Sequence, residues 1–207
     1  ELAPLNIPYV CCSYDNQYGT LPPDSYASVS IADEEEACRA VTELYRCGHR
    51  RIAALVSGTE DRSISQLRYQ GYVRALAAHD LPLDPALVIE AGSFDIRQSY
   101  LAMQQHLLTG AQFTALFAIS DNMAIGAMRA LREAGRRIPE DCSVIAIDGL
   151  TISDYINPTL TTLCQPVEHM GRRSVEILLD MVEHRGGPIR ETAHTTLRTG
   201  ESVRDIS

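Results

Sequence analysis

Apolar positions along this 207-residue chain alternate between helical and strand periods. From residue 34 onward the two patterns succeed one another about every 30 residues, the length of a strand with its crossover helix. The first helix is EEEACRAVTELYRCG, in which Ala37, Ala40, Val41, Leu44 and Tyr45 hold the i, i+3, i+4, i+7, i+8 spacing of a single face. Acidic residues open it and Gly48 closes it, as the helix dipole and the left-handed C′ position prefer. Four short, bounded apolar runs predict buried parallel strands: IAALVS (52–57), ALVIEA (86–91), ALFAIS (115–120) and SVIAID (143–148). Helices are predicted between them near 63–78, 96–109 and 122–134, with Gly110 and Gly135 among the stops. The pattern is that of an α/β protein with a doubly wound parallel sheet.

Two regions fall outside this series. Before residue 33 there are strand candidates in IPYVCCS and SVSI, separated by the loop DNQYGTLPPDSY. Late in the chain, the strand candidate LTTLCQP precedes a long helix, VEHMGRRSVEILLDMVEHR. That helix carries Val167, Met170, Gly171, Ser174, Val175, Leu178, Leu179 and Val182 on one face, and such a stripe predicts substantial burial. A second lobe, reached by more than one chain crossing, would accommodate these pieces.

Composition narrows the function. Hydrophobic residues at 45% and charged residues at 22% place the chain in the globular range. A net charge of −9, with the basic residues scattered, repels a phosphate backbone, so the residues given are poor nucleic-acid binders. Six cysteines, at 11, 12, 38, 47, 142 and 164, have no zinc spacing and are expected to be reduced thiols, which favours a cytoplasmic location. No apolar run suits a membrane span. GxGxxG, P-loop, GxSxG and HExxH motifs are absent, which argues against an enzyme on this scaffold. The six histidines share no metal spacing, so neither a metal nor a cofactor is expected.

In open parallel sheets, ligands bind beyond the carboxyl ends of the strands. The residues just past the four runs include Arg62, Phe94, Ser120 with Asp121, and Asp148. An arginine, an aromatic ring and carboxylates on one edge suit a polyhydroxylated ligand, since charged groups bond vicinal hydroxyls and a ring packs on a sugar's C–H face. Taken singly, each has a plainer reading. Asp121 fits a helix N-cap, Arg62 a solvated loop residue, Asp148 before Gly149 a turn, and Phe94 either core or contact. Their convergence on one edge is what points to a site.

Four segments carry a resemblance: CGHRRIAAL, LRYQGYVRALAAHDLPLD, ISDNMAIGAMRALREAGRRIPEDCSVIAIDG and NPTLTTLCQPVEHMGRRSVEILL. In this order the chain resembles the lactose/galactose repressor (LacI/GalR) family of bacterial transcription regulators over nearly its whole length. The resemblance implies a two-lobed, periplasmic-binding-protein-like sensor with a sugar or small metabolite between the lobes and an N-terminal DNA-binding headpiece. It places the headpiece and the first half of the N-terminal lobe before residue 1, leaving that lobe incomplete here, with sheet edge and apolar surface exposed. The lobes are expected at 1–32 plus 151–188 and at 33–150 plus 189–207.

The family's ligand positions map one by one. Its effector-binding arginine in the RLxGF pattern falls on Arg68 in RYQGY, and a second polar contact on Arg62. The stacking aromatic falls on Phe94, and the acid of the GFDD or GYDD pattern on Asp148, with Gly149 in place of the second aspartate. Ser120 stands where the asparagine of the AND triplet would be. Ser13 replaces the aspartate of VLVDR, and Ala32 that of VDN. The family's dimer surface implies Met123, Ile125, Met128, Arg129 and Ile156, although Met and Ile at helical spacing also fit a core. The implied mechanism is a population shift in a homodimer, with the effector controlling operator binding. The alternative on the same fold is a periplasmic sugar-binding protein of an ABC transporter.

Overall fold

The computed structural model describes residues 7–14, 26–59 and 64–207. The chain divides into two compact units, Asp33–Cys164 with Leu197–Ser207, and Glu1–Ala32 with Gln165–Thr196.

The smaller unit holds a three-stranded sheet. Strands β1 (Val10–Cys12) and β2 (Ala27–Ile31) pair in parallel, and β2, buried throughout, pairs in parallel with β8 (Arg190–Ala193). Helix α5 (Val167–Val182) packs on β1 and β2 and buries Met170, Ser174 and Ile177. Gly171 and Leu178 of the expected apolar stripe are half-buried, and the other four positions are open. Val167, Val175, Leu179 and Val182 are between 50% and 62% exposed, because a helix lying on a narrow sheet can seat only one side.

The larger unit contains a six-stranded sheet in the order β4-β3-β5-β6-β7-β9. Its strands are β3 (Ile52–Val56), β4 (Val88–Glu90), β5 (Ala115–Ala118), β6 (Ser143–Asp148), β7 (Thr161–Cys164) and β9 (Thr196–Arg198). β3 to β7 pair in parallel. The four predicted strands are all present. β4 is shorter than the apolar run because Pro85–Leu87 form a 3-10 turn, capped by Asp84 Oδ1, which accepts from Ala86 N.

Two expected lobe boundaries are corrected by this pairing. Residues 151–164 belong to the larger unit, since β7 joins β6 in register from Ile145 with Thr161 to Asp148 with Cys164. Residues 189–196 belong to the smaller unit, since β8 joins β2.

Helices α1 (Asp33–Arg46), α2 (Ile64–Ala78), α3 (Ile96–Leu108) and α4 (Asp121–Glu133) cover the sheet. Right-handed crossovers put α2 on one face and α3 and α4 on the other, because the chain steps from β3 to β4 in one direction and to β5 and β6 in the opposite one. α1 packs against α2, and α3 against α4. Both contacts are closed by a glycine. A Cβ at Gly71 would lie 2.2 Å from Glu34 O, and one at Gly126 2.2 Å from Ile96 O.

His49 joins three strand starts at the opposite edge of the sheet from their carboxyl ends. It is 1% exposed, with Nδ1 3.0 Å from Thr114 Oγ1 and Nε2 2.9 Å from Ser143 Oγ. Burial pushes the ring below its ordinary value of 6.5; the hydrogen bond with the Arg204 backbone and the Asp205 charge oppose this, and the Arg204 and Arg50 charges add to it. A base depressed in the folded state binds fewer protons there than in the unfolded chain. Stability is therefore expected to fall as pH drops through 6.5 toward the folded-state value, and to level off below it. His106, depressed by burial and by Arg136, adds to the same window. Urea denaturation between pH 8 and 5 should show this slope, with His49→Gln flattening part of it.

Candidate functional site

The sheet order places a switch point between β3 and β5, where the chain leaves β3 for β4 on one side and returns to β5 on the other. Crevices beyond strand carboxyl ends at such points are where open α/β sheets take ligands. Arg68, near the start of α2, fills this position. Its Nε donates to Asp33 Oδ1 at 2.8 Å, and its Nη1 donates to Asp148 Oδ1 at 3.2 Å and to Ile119 O, just past β5. The arginine side chain is 4% exposed, Asp33 6% and Asp148 23%.

Each partner is placed by local structure. Ser65 Oγ closes the β3–α2 connection by accepting from Ser57 N and Gly58 N and donating to Gly58 O at 2.7 Å, which fixes the first turn of α2. Asp33 is the first residue of α1, where the helix dipole favours a carboxylate. Asp148 ends β6 with φ 138°, a costly conformation for a residue with a Cβ. Gly149 follows with φ 76°, and a Cβ there would lie 2.6 Å from Cys164 Cα. The departure from a second aspartate at this position thus has a steric basis.

The electrostatics follow from burial. Desolvation raises the Asp33 carboxyl above its ordinary value against the pull of Arg68, with Asp148 and Glu36 adding to the rise. Arg68 loses hydration too, but the two carboxylates hold it firmly protonated. A guanidinium whose charge is already shared by two carboxylates orients groups around it; the more exposed Asp148 presents the acceptor.

The other sequence candidates are distributed as follows. Ser120 is buried and caps α4, its Oγ accepting from Met123 N at 3.3 Å. This corrects the reading of Asp121 as the cap. Asp121 is instead fully buried and accepts from Leu150 N, Ser153 Oγ and Thr162 Oγ1. Phe94 lies in the loop past β4 on the same edge and is 37% exposed, so it is not a core residue. Ser13 belongs to the smaller unit, has φ 60°, and donates to Gln165 Oε1 at 3.1 Å. Arg62 lies outside the described residues. The structure therefore brings together Arg68, Asp148 and the Ile119–Ser120 backbone, and adds Asp33, which sequence reasoning missed. Asp33 sits in an acidic run at a helix start, where its companions simply serve the dipole, so nothing in the pattern singled it out.

On the outer surface of the larger unit, Ile125, Met128, Arg129 and Ile156 line a groove of about 540 Å³ with Arg132 and Glu133. Met123 is fully buried and Met128 only 4% exposed, so both methionines belong to the core, although Met128 still lines the groove. Arg129 pairs with Glu133 at 2.9 Å and lies over the Tyr100 ring at 4.9 Å. Among the described residues no cluster of His, Cys, Asp and Glu could hold a metal ion, and no helix is long and apolar enough to cross a membrane.

Known proteins share this fold. Residues 41–203 match the family model of a periplasmic binding protein-like domain. The HTH-type transcriptional regulator CelR of Thermobifida fusca is 34% identical over 197 residues, 95% of this chain and 56% of that protein. The repressor CytR of Escherichia coli (strain K12) is 36% identical over 156 residues, 75% of this chain and 45% of that protein. The chain spans about half the length of the curated relatives it matches. A solved CelR–cellobiose complex matches with a TM-score of 0.82 at 34% identity, covering 88% of this chain and 56% of that one. A LacI family regulator from Enterococcus faecium with bound ribose matches with a TM-score of 0.86 at 25% identity, covering 100% of this chain and 74% of that one. The chain therefore belongs to the periplasmic binding protein-like domain family, and the relatives it matches are transcription regulators.

Proposed function

We propose that this chain is the effector-sensing part of a LacI-type repressor, binding a sugar or similar small metabolite at the Arg68–Asp148 edge and controlling operator binding through a headpiece outside these residues. The observation that carries this reading is the Arg68 guanidinium held at the sheet's switch point by Asp33, Asp148 and the Ile119 carbonyl. A built, mostly dry cluster with one partly exposed carboxylate suits a ligand rich in hydroxyl donors. Phe94 supplies an exposed ring on the same edge for a sugar's apolar face, and Ser120 a hydroxyl proton. The chain acts by binding, catalyses no reaction, and works in the cytoplasm. The net charge of −9 leaves DNA contact to the headpiece. The relatives named above are all transcription regulators, which favours this reading over a transporter's sugar-binding protein.

The test is a thermal-shift screen of the intact polypeptide against monosaccharides, disaccharides, sugar phosphates and purines, with D-ribose and cellobiose included. A ligand binding only the folded state adds about 2.7 kcal/mol of stability at a hundredfold excess over Kd. The account expects a dose-dependent rise with at least one polyol and a diminished rise in Asp148→Asn. No shift with any member would remove the sugar-sensor reading.

The groove on α4 is the surface assigned to a second copy of the chain, through Ile125, Met128, Arg129 and Ile156. An Ile156→Asp substitution places an unpaired charge in that groove. Sedimentation should report a dimer for the parent protein and a shift toward monomer for the variant, whereas an unchanged dimer would exclude this face.

A further inference from the structure

Asp121 is 0% exposed, and its three partners are neutral: a backbone amide and two hydroxyls. Burial raises its carboxyl above the ordinary value against the pull of the Thr162, Ser153 and Leu150 hydrogen bonds, with nearby Asp148 adding a little to the rise. A buried charge is retained only where donors converge on it. Here Oδ2 accepts from Leu150 N and Ser153 Oγ, both at 2.7 Å, and Oδ1 accepts from Thr162 Oγ1 at 2.6 Å. Thr162 Oγ1 in turn accepts from Gly149 N at 3.3 Å. One carboxylate thus fixes the chain directly at residues 150 and 153, and through Thr162 at 149, immediately after Asp148.

The segment held in this way runs from the candidate ligand edge to the groove on α4. It begins at Asp148, with its strained φ and its bond to Arg68, and passes through the 3-10 turn Thr151–Asp154. It ends at Ile156 and Asn157 in the groove on α4, where Arg132 Nη1 donates to Asn157 O at 2.8 Å. Asp121 is also the first residue of α4 itself. Arg198 adds a second attachment, to Asp154 Oδ2 and Leu150 O, both at 3.0 Å.

We propose that Asp121 is a positioning residue that couples the ligand-facing carboxylate of Asp148 to the groove on α4 through residues 149–157. The coupling rests on the sensor reading given above, in which Asp148 contacts the effector. An asparagine at 121 keeps the shape but offers a single acceptor oxygen, so one donor meets an amide NH2. With the amide oxygen toward Leu150 N and Ser153 Oγ, the NH2 meets Thr162 Oγ1, which must turn from donating to accepting while it also accepts from Gly149 N, and the charge that strengthened all three bonds is gone. The segment should loosen while the sheet stays intact.

Hydrogen–deuterium exchange on the intact polypeptide tests this, comparing parent and Asp121→Asn with and without saturating cellobiose or D-ribose. In the ligand-free variant, amides in 149–157, including Ser153 and Tyr155, are expected to exchange at least tenfold faster, with β3 amides unchanged. Sugar should slow exchange in 149–157 in the parent and not in the variant. Equal ligand-free exchange, or equal protection by sugar in both proteins, overturns the proposal. If neither sugar protects any part of the parent, the sensor reading fails for these sugars, and faster ligand-free exchange would then mark Asp121 as structural only. If Asp121→Asn also speeds exchange in β3, Thr162→Val, which removes one attachment only, is judged by the same criteria.

Discussion

Replacing Arg68 by alanine is expected to lower stability by about 3–5 kcal/mol, the range seen when one partner of a buried ion pair is removed. Asp148, 23% exposed, can recover water, but Asp33 at 6% cannot, and the Ile119 carbonyl loses its donor as well. The loss should depend on pH with a definite sign. Burial already raises Asp33 above 3.8 in the parent, and without Arg68 it rises further. An acid whose folded value is raised destabilises the fold as pH climbs above 3.8 and does so fully once pH exceeds the folded value. Urea denaturation of Arg68→Ala should therefore show a gap to the parent that widens from acid to neutral pH. Adding Asp33→Asn should recover much of the loss by removing the orphaned charge. A loss under about 1 kcal/mol, typical of exposed ion pairs, would mean that Arg68 is not buried as described.

The second large effect is expected at Gly71. On propensity alone, Gly→Ala in a helix interior gains about 1 kcal/mol. Contact geometry opposes it. The new Cβ would lie 2.2 Å from Glu34 O and 2.7 Å from Ala37 Cβ. A backbone oxygen cannot swing aside, so α1 must move off α2. Overpacking of this kind costs about 1–3 kcal/mol, and here it acts on the residue next to Asp33. Gly71→Ala should therefore lower the denaturation midpoint and weaken the response to ligand, because displacing the start of α1 separates Asp33 from Arg68. A gain in stability would show that the helices can separate freely.

The comparison of sequence with structure has the same physical content. The strands at 52–56, 115–118 and 143–148 and the helices between them were legible because a sheet buried on both faces demands continuous apolar runs. The boundary near 151 was not, since β7 departs from the regular alternation and only its pairing with β6 reveals its place. The stripe on α5 was legible as a pattern, but periodicity cannot say how wide a surface lies beneath it. Asp148 was legible from its place at the end of the fourth apolar run, and Arg68 through a family resemblance; Asp33 was not found, because a buried carboxylate at a helix start has the same spelling as an exposed one. Ser120 and Asp121 exchanged roles because either residue type can cap a helix. Which of them does so depends on the loop at 149–153, far away in sequence.

The central claim is that a hydroxyl-bearing ligand meets the Asp148 carboxylate at this sheet edge. Calorimetric titration of the best sugar from the screen into the parent and into Asp148→Asn tests it most directly. Hydrogen bonds to charged groups are worth about 1.5–3 kcal/mol, so the account predicts at least a tenfold weaker Kd for the variant, since about 1.4 kcal/mol corresponds to one decade. An unchanged Kd in a variant that retains the fold would contradict it and move the ligand away from Asp148.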